Sequence, residues 1–140
     1  MKLRKLTPSF SVESVVETVN FYQDILEFRL DMCVTEAMDG IDTEMEEDGE
    51  YVYAMVTRDD LSFIFVRDDH FQHEVLKEEE YQKGVSLLFY IDVSDIEEMY
   101  HCLVDKEIEI IKDLETTWYG MREFFIKDNN GYILCFSEQV

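Results

Sequence analysis

The sequence predicts an α+β fold made of two βαβββ modules, and three observations lead to this prediction. Elements read from hydrophobic periodicity follow the order βαβββ twice, with a polar stretch between the two sets. A helix-cap pattern recurs in the two halves, since Val12–Glu17 and Val93–Glu98 share one order of apolar, capping and acidic residues. The chain closes with a hairpin, in which Glu123–Ile126 and Tyr132–Phe136 flank an Asn-Asn-Gly turn at 129–131.

The first module opens with a strand at Thr7–Val12, in which Pro8 must lie at a sheet edge or at the start of the strand because proline donates no ladder hydrogen bond. Ser14 lies at a helix N-cap position with Glu17 three residues later, and apolar residues recur at helical spacing up to Leu26. The remaining predicted elements are a helix at Val15–Leu26, a strand at Phe28–Val34, an acidic connection at Glu36–Glu50, and a hairpin of Tyr51–Thr57 and Leu61–Val66.

The second module follows a polar linker that contains at most one short helical turn. Its predicted elements are a strand at Val85–Val93, a helix from Asp95 to about Lys106, a strand at Ile108–Lys112 and the closing hairpin. Each half has only about 60 residues, too few to cover its own sheet well, so we expect one domain over residues 1–140. Within it, residues 1–67 form the first module, 68–83 the linker and 84–140 the second module.

Composition excludes several classes of protein. The chain has 140 residues, of which 46% are hydrophobic, and no apolar run approaches the length of a membrane span. Its formal charge of −21 argues against nucleic-acid and anionic-membrane partners, because both attract basic surfaces. Three cysteines without close spacing fit a reducing compartment, and no export signal is recognised, so we expect a cytoplasmic protein.

Two segments resemble a known family. The helix segment NFYQDILEF at Asn20–Phe28 and the closing segment WYGMREFFIKDNNGYILCF at Trp118–Phe136 are similar to signatures of the vicinal oxygen chelate superfamily. This superfamily includes glyoxalase I, extradiol dioxygenases, fosfomycin-resistance enzymes and bleomycin-resistance proteins. The resemblance covers essentially the whole chain. It implies two modules whose sheets curl into an open, cup-like half barrel with the helices outside, and commonly a homodimer.

The same resemblance identifies four positions at which the related enzymes hold a divalent metal. Their ligands are a His or Gln on the first strand of each module and a Glu on the last strand. The matching positions are Thr7 and Leu88 on the first strands, and Ile64 and Cys135 on the last strands. Two alkyl groups, a hydroxyl and a thiol do not suit a hard cation, so we expect no metal and no other cofactor.

Several side chains are candidates for a ligand-binding wall in the cup. Trp118 and Tyr119 precede the closing hairpin, where the resemblance implies rim aromatics, although ordinary packing would explain them equally well. Tyr53 and Tyr90 could hold a cation or a planar ring. Arg122 and Glu123 must lie on opposite faces of a strand, and Glu123 facing the cup would attract cations.

The predicted binding set also includes the four projected positions, Thr7, Ile64, Leu88 and Cys135. No residue is assigned a catalytic role, because no cation precedes or follows Cys135 to activate it, and nucleophile-elbow and phosphate-loop motifs are absent from the sequence. The leading hypothesis is a metal-free, homodimeric protein that sequesters a cationic or aromatic small molecule. The alternatives are a lyase, isomerase or dioxygenase of the same superfamily with non-standard metal ligands, and an acidic dimeric interaction module.

Overall fold

The structure is a computed structural model that describes residues 1–75 and 87–140. The chain divides into two compact units, Met1–Gln82 and Lys83–Val140. The elements of the first unit are β1 (Ser9–Val12), α1 (Val15–Asp24), β2 (Arg29–Thr35), β3 (Tyr51–Arg58), β4 (Leu61–Arg67) and α2 (Asp68–His70), followed by a π-helical turn at Phe71–Val75. The elements of the second unit are β5 (Leu88–Asp92), α3 (Ile96–Asp105), β6 (Ile110–Thr116), β7 (Met121–Lys127) and β8 (Ile133–Gln139).

Each unit contains one four-stranded mixed sheet with the same topology. The strand order is β1-β4-β3-β2 in the first sheet and β5-β8-β7-β6 in the second. In both sheets the first strand runs parallel to the last, and the other pairs are antiparallel. The predicted α+β class with two βαβββ modules is therefore confirmed. None of the helices in the described ranges has the length and apolarity needed to cross a bilayer.

Helix α1 begins where the sequence predicts it, because the Ser14 side chain accepts a 3.2 Å hydrogen bond from the backbone N–H of Glu17. One stripe of the helix is buried against the first sheet, and the Tyr22 ring lies 4.8 Å from the ring of Phe65 in β4, measured between centroids. The stripe consists of Val15, Thr18, Val19 and Tyr22. The apolar periodicity of α1 thus supplies the core of the first module.

Helix α1 ends earlier than its apolar pattern predicts. The last helical residue is Asp24, although the pattern continues to the buried Leu26. The chain reverses at Glu27, whose φ is 58°, and the N–H of Phe28 returns to the carbonyl of Tyr22 at 2.9 Å. Leu26 is therefore buried by the turn that ends the helix.

Helix α3 repeats this construction in the second module. The Asp95 carboxylate accepts a 3.1 Å hydrogen bond from the N–H of Glu98, as the capping pattern predicts. A second carboxylate, Glu138 of β8, accepts the N–H of Ile96 at 3.0 Å and ties the start of the helix to the sheet. The Tyr100 ring of α3 meets Phe124 of β7 edge-on, with 5.2 Å between centroids.

Strand pairing divides the second sheet into two different faces. Phe124 pairs with Phe136 and Ile126 with Leu134, and all four are buried on the side of α3. Because side chains alternate along a strand, the intervening residues of β7 and β8 lie on the other face. We call this the open face of the second module; it carries Glu123, Phe125, Cys135 and Ser137, with Tyr90 of β5 and Lys112 of β6 in register.

The closing turn contains one left-handed residue. Asn129, Asn130 and Gly131 all tolerate positive φ, but Gly131 alone of these three adopts it, with φ of 89°. The buried Asp128 shapes the turn instead, since its Oδ1 accepts the N–H groups of Asn130 at 2.8 Å and Tyr132 at 2.9 Å. With the turn closed by a carboxylate, the asparagines need no left-handed conformation.

Several strand boundaries also differ from prediction, among them those of β1 and β6. Strand β1 starts at Ser9 and leaves Thr7 outside, although the Pro8 carbonyl still accepts the N–H of Ile64 at 2.9 Å. Strand β6 covers Ile110–Thr116 and not Ile108–Lys112. The left-handed Glu107, with φ of 56°, occupies the connection from α3 and delays the strand.

The region after β4 is only partly described. The expected short helical turn is present as α2 and the π-helical turn that follows it. The rest of the predicted linker, and the predicted start of β5 at Val85, lie outside the described residues.

We predict that Asp128→Ala lowers the free energy of unfolding by about 2–4 kcal/mol, because two backbone N–H groups of a partly buried turn lose their carboxylate acceptor. Urea denaturation measures the change. The neighbouring exposed Asn129→Ala is the control and should cost less than about 1 kcal/mol. Equal costs for the two variants would show that the carboxylate does not hold the turn.

Candidate functional site

The open face of the second module contains a carboxylate that is almost completely buried. Glu123 is only 1% exposed, although it lies in β7 between the partly exposed Arg122 and the buried Phe124. Arg122 points to the other face, where it forms an ion pair with Glu97 of α3. The predicted division of the Arg122–Glu123 pair between two faces is therefore confirmed.

Two phenol groups cover Glu123, and each one donates to a different oxygen. The Tyr90 hydroxyl donates to Oε2, and the Tyr119 hydroxyl donates to Oε1 at 2.8 Å. The two phenol oxygens are 3.4 Å apart. Since Tyr90 is 52% exposed and Tyr119 is 50% exposed, the phenols form the surface of the site and Glu123 forms its floor.

The ammonium group of Lys112 lies beside the floor. The Nζ atom of Lys112 is 2.9 Å from the Glu115 carboxylate and 3.9 Å from Oε1 of Glu123. Glu115 and Glu123 are cross-strand partners, an arrangement in which like charges repel, and Lys112 lies between them. The hydrogen bond to Glu115 is the main reason that the pKa of Lys112 is raised, so its positive charge is secured.

The hydrogen bond with Glu123 also changes Tyr90. It raises the pKa of this phenol well above its usual range, with the contact to Tyr119 adding to the effect. Tyr90 therefore keeps its proton at neutral pH, and that proton is held by Glu123. The phenol is a poor general acid under these conditions.

The turn between β6 and β7 positions the aromatic rim. The Thr117 carbonyl accepts the N–H of Gly120 at 3.2 Å, and the Thr117 hydroxyl accepts the N–H of Met121 at 3.0 Å. Gly120 has φ of 83°, a conformation that glycine adopts without strain. This turn presents Tyr119 toward Glu123 and leaves Trp118 95% exposed, with its ring 5.3 Å from the Tyr119 ring.

Cys135 lies under the same cluster. It is fully buried, pairs with Tyr90 across β5 and β8, and has its Sγ 3.9 Å from Oε2 of Glu123. Burial, and next the negative charge of Glu123, raise the pKa of this thiol to about 12. The structure thus supports the prediction of an unreactive cysteine.

The structure brings together four of the nine residues predicted to bind a ligand: Tyr90, Tyr119, Glu123 and Cys135. Trp118 adjoins them through Tyr119. Leu88 lies two positions before Tyr90 on the same face of β5 and is exposed.

The other three predicted residues belong to the first module. Tyr53 lies in β3 and is paired with Val66, and burial raises the pKa of its phenol. Ile64 lies in β4 opposite Ser9, while Thr7 precedes β1. The face that Tyr53 and Ile64 share carries no cluster like that around Glu123 among the residues described.

Lys112 and Phe125 are the functional candidates that sequence reasoning missed. Lys112 pairs with Phe125 across β6 and β7, and its Nζ lies 5.1 Å from the centre of the Phe125 ring. The sequence contains one indication of Lys112, because it is the only basic residue between Lys106 and Arg122. The register shifts of β6 on either side of Lys112 hid it from strand counting.

The donor set of the open face does not fit the divalent metal that the family resemblance implies. It offers two carboxylates and one protonated thiol. Both oxygens of Glu123 already accept phenol protons, and Glu115 is paired with Lys112. A hard cation requires several free oxygen or imidazole donors. Throughout the described ranges, no group of three or more His, Cys, Asp or Glu side chains is arranged to hold a metal ion.

Comparison with known proteins identifies the family. Residues 8–136 match the model of the Glyoxalase/Bleomycin resistance protein/Dioxygenase superfamily, and the chain therefore belongs to this superfamily. No curated protein sequence matches the chain significantly.

Solved structures share the fold over the full length of the chain. A glyoxalase-related enzyme from Clostridium phytofermentans has a TM-score of 0.69 at 19% identity, with 100% of this chain and 98% of that chain covered. A protein of unknown function from Agrobacterium tumefaciens str. C58 has a TM-score of 0.71 at 16% identity, with 100% of this chain and 97% of that chain covered. TioX from Micromonospora sp. ML1 has a TM-score of 0.69 at 14% identity, with 98% of this chain and 99% of that chain covered. At these identities the likeness establishes the fold.

We predict that one of the three cysteines of the native protein reacts promptly with a thiol reagent at about pH 8, and that all three react in denaturant. The reactive residue is the exposed Cys102, because Cys33 and Cys135 are buried and their pKa values are raised, first of all by burial. A colorimetric thiol titration counts the groups, and the Cys102→Ser variant should show none in the native state. Prompt labelling of Cys135 in that variant would contradict the assignment of an inert thiol.

Proposed function

We propose that the protein captures a small cationic or aromatic molecule on the open face of its second module, without using a metal. One observation carries this proposal: a carboxylate that is 1% exposed lies beneath two half-exposed phenols, next to an almost fully exposed indole. Such a site combines a negative floor with aromatic walls, which is the combination that organic cations prefer.

The charge of the site favours a cation. Glu123 and Glu115 carry two negative charges and Lys112 one positive charge, which leaves a local charge of −1. Glu123 is shielded from solvent, and a charge in such a place acts more strongly than one on the surface. The formal charge of −21 on the whole chain would also raise the rate at which cations reach the site.

The aromatic side chains supply the apolar part of the site. Tyr90, Tyr119 and Trp118 each keep half or more of their surface exposed. An aromatic ring buries a large area when a ligand covers it, and ring pairs gain about 0.5–1.5 kcal/mol beyond this burial. Exposed aromatics around a buried charge therefore favour a ligand with both a ring and a positive group.

The chemistry of the same groups favours capture over catalysis. Burial raises the pKa of the Cys135 thiol to about 12, so this thiol is a poor nucleophile at neutral pH. Both oxygens of Glu123 accept phenol protons, which leaves this carboxylate poorly placed to remove a proton from a substrate. The two hydrogen bonds hold the phenols and the carboxylate in a fixed arrangement, and a fixed arrangement suits binding.

We predict that benzamidinium binds more tightly than its neutral counterpart benzamide, and that Glu123→Gln removes this difference. Trp118 is the only tryptophan of the chain and adjoins the site, so its fluorescence reports binding directly. We expect the variant to weaken benzamidinium binding about tenfold, the equivalent of 1.4 kcal/mol, and to change benzamide binding less than twofold.

Glu109→Gln is the matched control, because it removes the same charge from an exposed position outside the cluster. It should bind benzamidinium as the wild type does. The titrations are repeated after treatment with a chelator, which should leave the affinity unchanged. Absence of saturable binding by the wild type would overturn capture, and loss of binding in the chelator would overturn its metal independence.

A further inference from the structure

The direction of the hydrogen bonds at the site limits which cations it can hold. A phenol has one proton, and the protons of Tyr90 and Tyr119 are both donated to Glu123. Neither phenol therefore has a proton left for the other, although their oxygens are 3.4 Å apart. The two oxygens face each other as acceptors.

The phenol residues, and not the carboxylate, are the part of the cluster that a ligand meets. Tyr90 and Tyr119 are half exposed, whereas Glu123 is 1% exposed. The carboxylate still acts on the ligand, because a hydrogen bond to a charged acceptor polarises the donor and increases the negative character of the phenol oxygen. The accessible surface of the site is thus a pair of polarised acceptors, which we call the phenol pair.

The chain itself places an ammonium group beside this pair. Lys112 donates to Glu115 at 2.9 Å. Its Nζ atom also lies 3.9 Å from Oε1 of Glu123, which is the oxygen that accepts the Tyr119 proton. A nitrogen cation with several N–H groups is therefore compatible with the edge of the site. Lys112 also competes electrostatically with any cationic ligand placed at the phenol pair.

We propose, building on the function proposed above, that the ligand carries a nitrogen cation with at least two N–H donors, namely a primary ammonium, amidinium or guanidinium group. Two of its N–H groups donate to the phenol oxygens, which stabilises the acceptor pair, while its apolar portion covers the exposed rings. A quaternary ammonium has the charge but no N–H, and it leaves the phenol pair without donors. An anion or a ligand with acceptors only is repelled.

The test compares benzylammonium with benzyltrimethylammonium, which share the ring and the charge and differ in N–H groups. Isothermal titration calorimetry on the full chain should give at least a tenfold preference for benzylammonium. Tyr90→Phe and Tyr119→Phe each keep the aromatic ring and remove one acceptor, so each should reduce the preference to about threefold or less. Tyr100→Phe is the control: it removes a phenol that is bonded to Asp113 outside the cluster, and it should keep the preference.

The Lys112→Met variant is expected to increase the affinity for benzylammonium. Removing the competing ammonium should tighten benzylammonium binding several-fold while the preference over benzyltrimethylammonium remains. A structural role of Lys112 alone would not improve binding.

The possible results separate the two proposals. Equal binding of both compounds, or a preference that survives both Phe variants, would overturn the phenol-pair assignment and leave capture of aromatic cations intact. Failure of both compounds and of benzamidinium to bind would overturn the proposed function and this inference together. A preference that disappears in the two Phe variants and persists in Tyr100→Phe supports the assignment.

Discussion

The register between β7 and β8 is the constraint on which the second module depends. Pairing Phe124 with Phe136 and Ile126 with Leu134 buries four large side chains on the side of α3. The same register places Glu123 and Cys135 on the open face, because a slip of one residue would exchange the two faces. The turn that Asp128 closes fixes this register, so core and candidate site have one common origin.

Burial of Glu123 has a cost that the surrounding phenols offset. Removing a charge from water is strongly unfavourable unless hydrogen bonds replace the lost hydration. Each hydrogen bond to a charged group contributes about 1.5–3 kcal/mol, and Glu123 accepts one from Tyr90 and another from Tyr119. Both phenols are thereby held in place by Glu123 before any ligand arrives, and such preorganisation reduces the cost of binding.

The two modules share a frame and differ in what they display. In the second module, one row across the sheet reads Tyr90, Cys135, Phe125 and Lys112. The corresponding row of the first module reads Ser9, Ile64, Met55 and Met32, without a charge. A common topology therefore permits a polar, phenol-lined surface in one module and a mainly apolar one in the other. Membership of the superfamily fixes the frame, and the side chains of each row decide its chemistry.

The sequence by itself determined the repeated βαβββ order, the caps at Ser14 and Asp95 and the closing hairpin, because each depends on residues close together in the chain. Residue type and strand alternation, which are local properties, also supplied Tyr90 and Glu123 as separate candidates, and the family resemblance supplied Tyr119. Only the tertiary structure decided that these three form one cluster and that Lys112 joins them. The pairing of β5 with β8 and the irregular register of β6 bring distant segments together, and neither can be counted along a single strand.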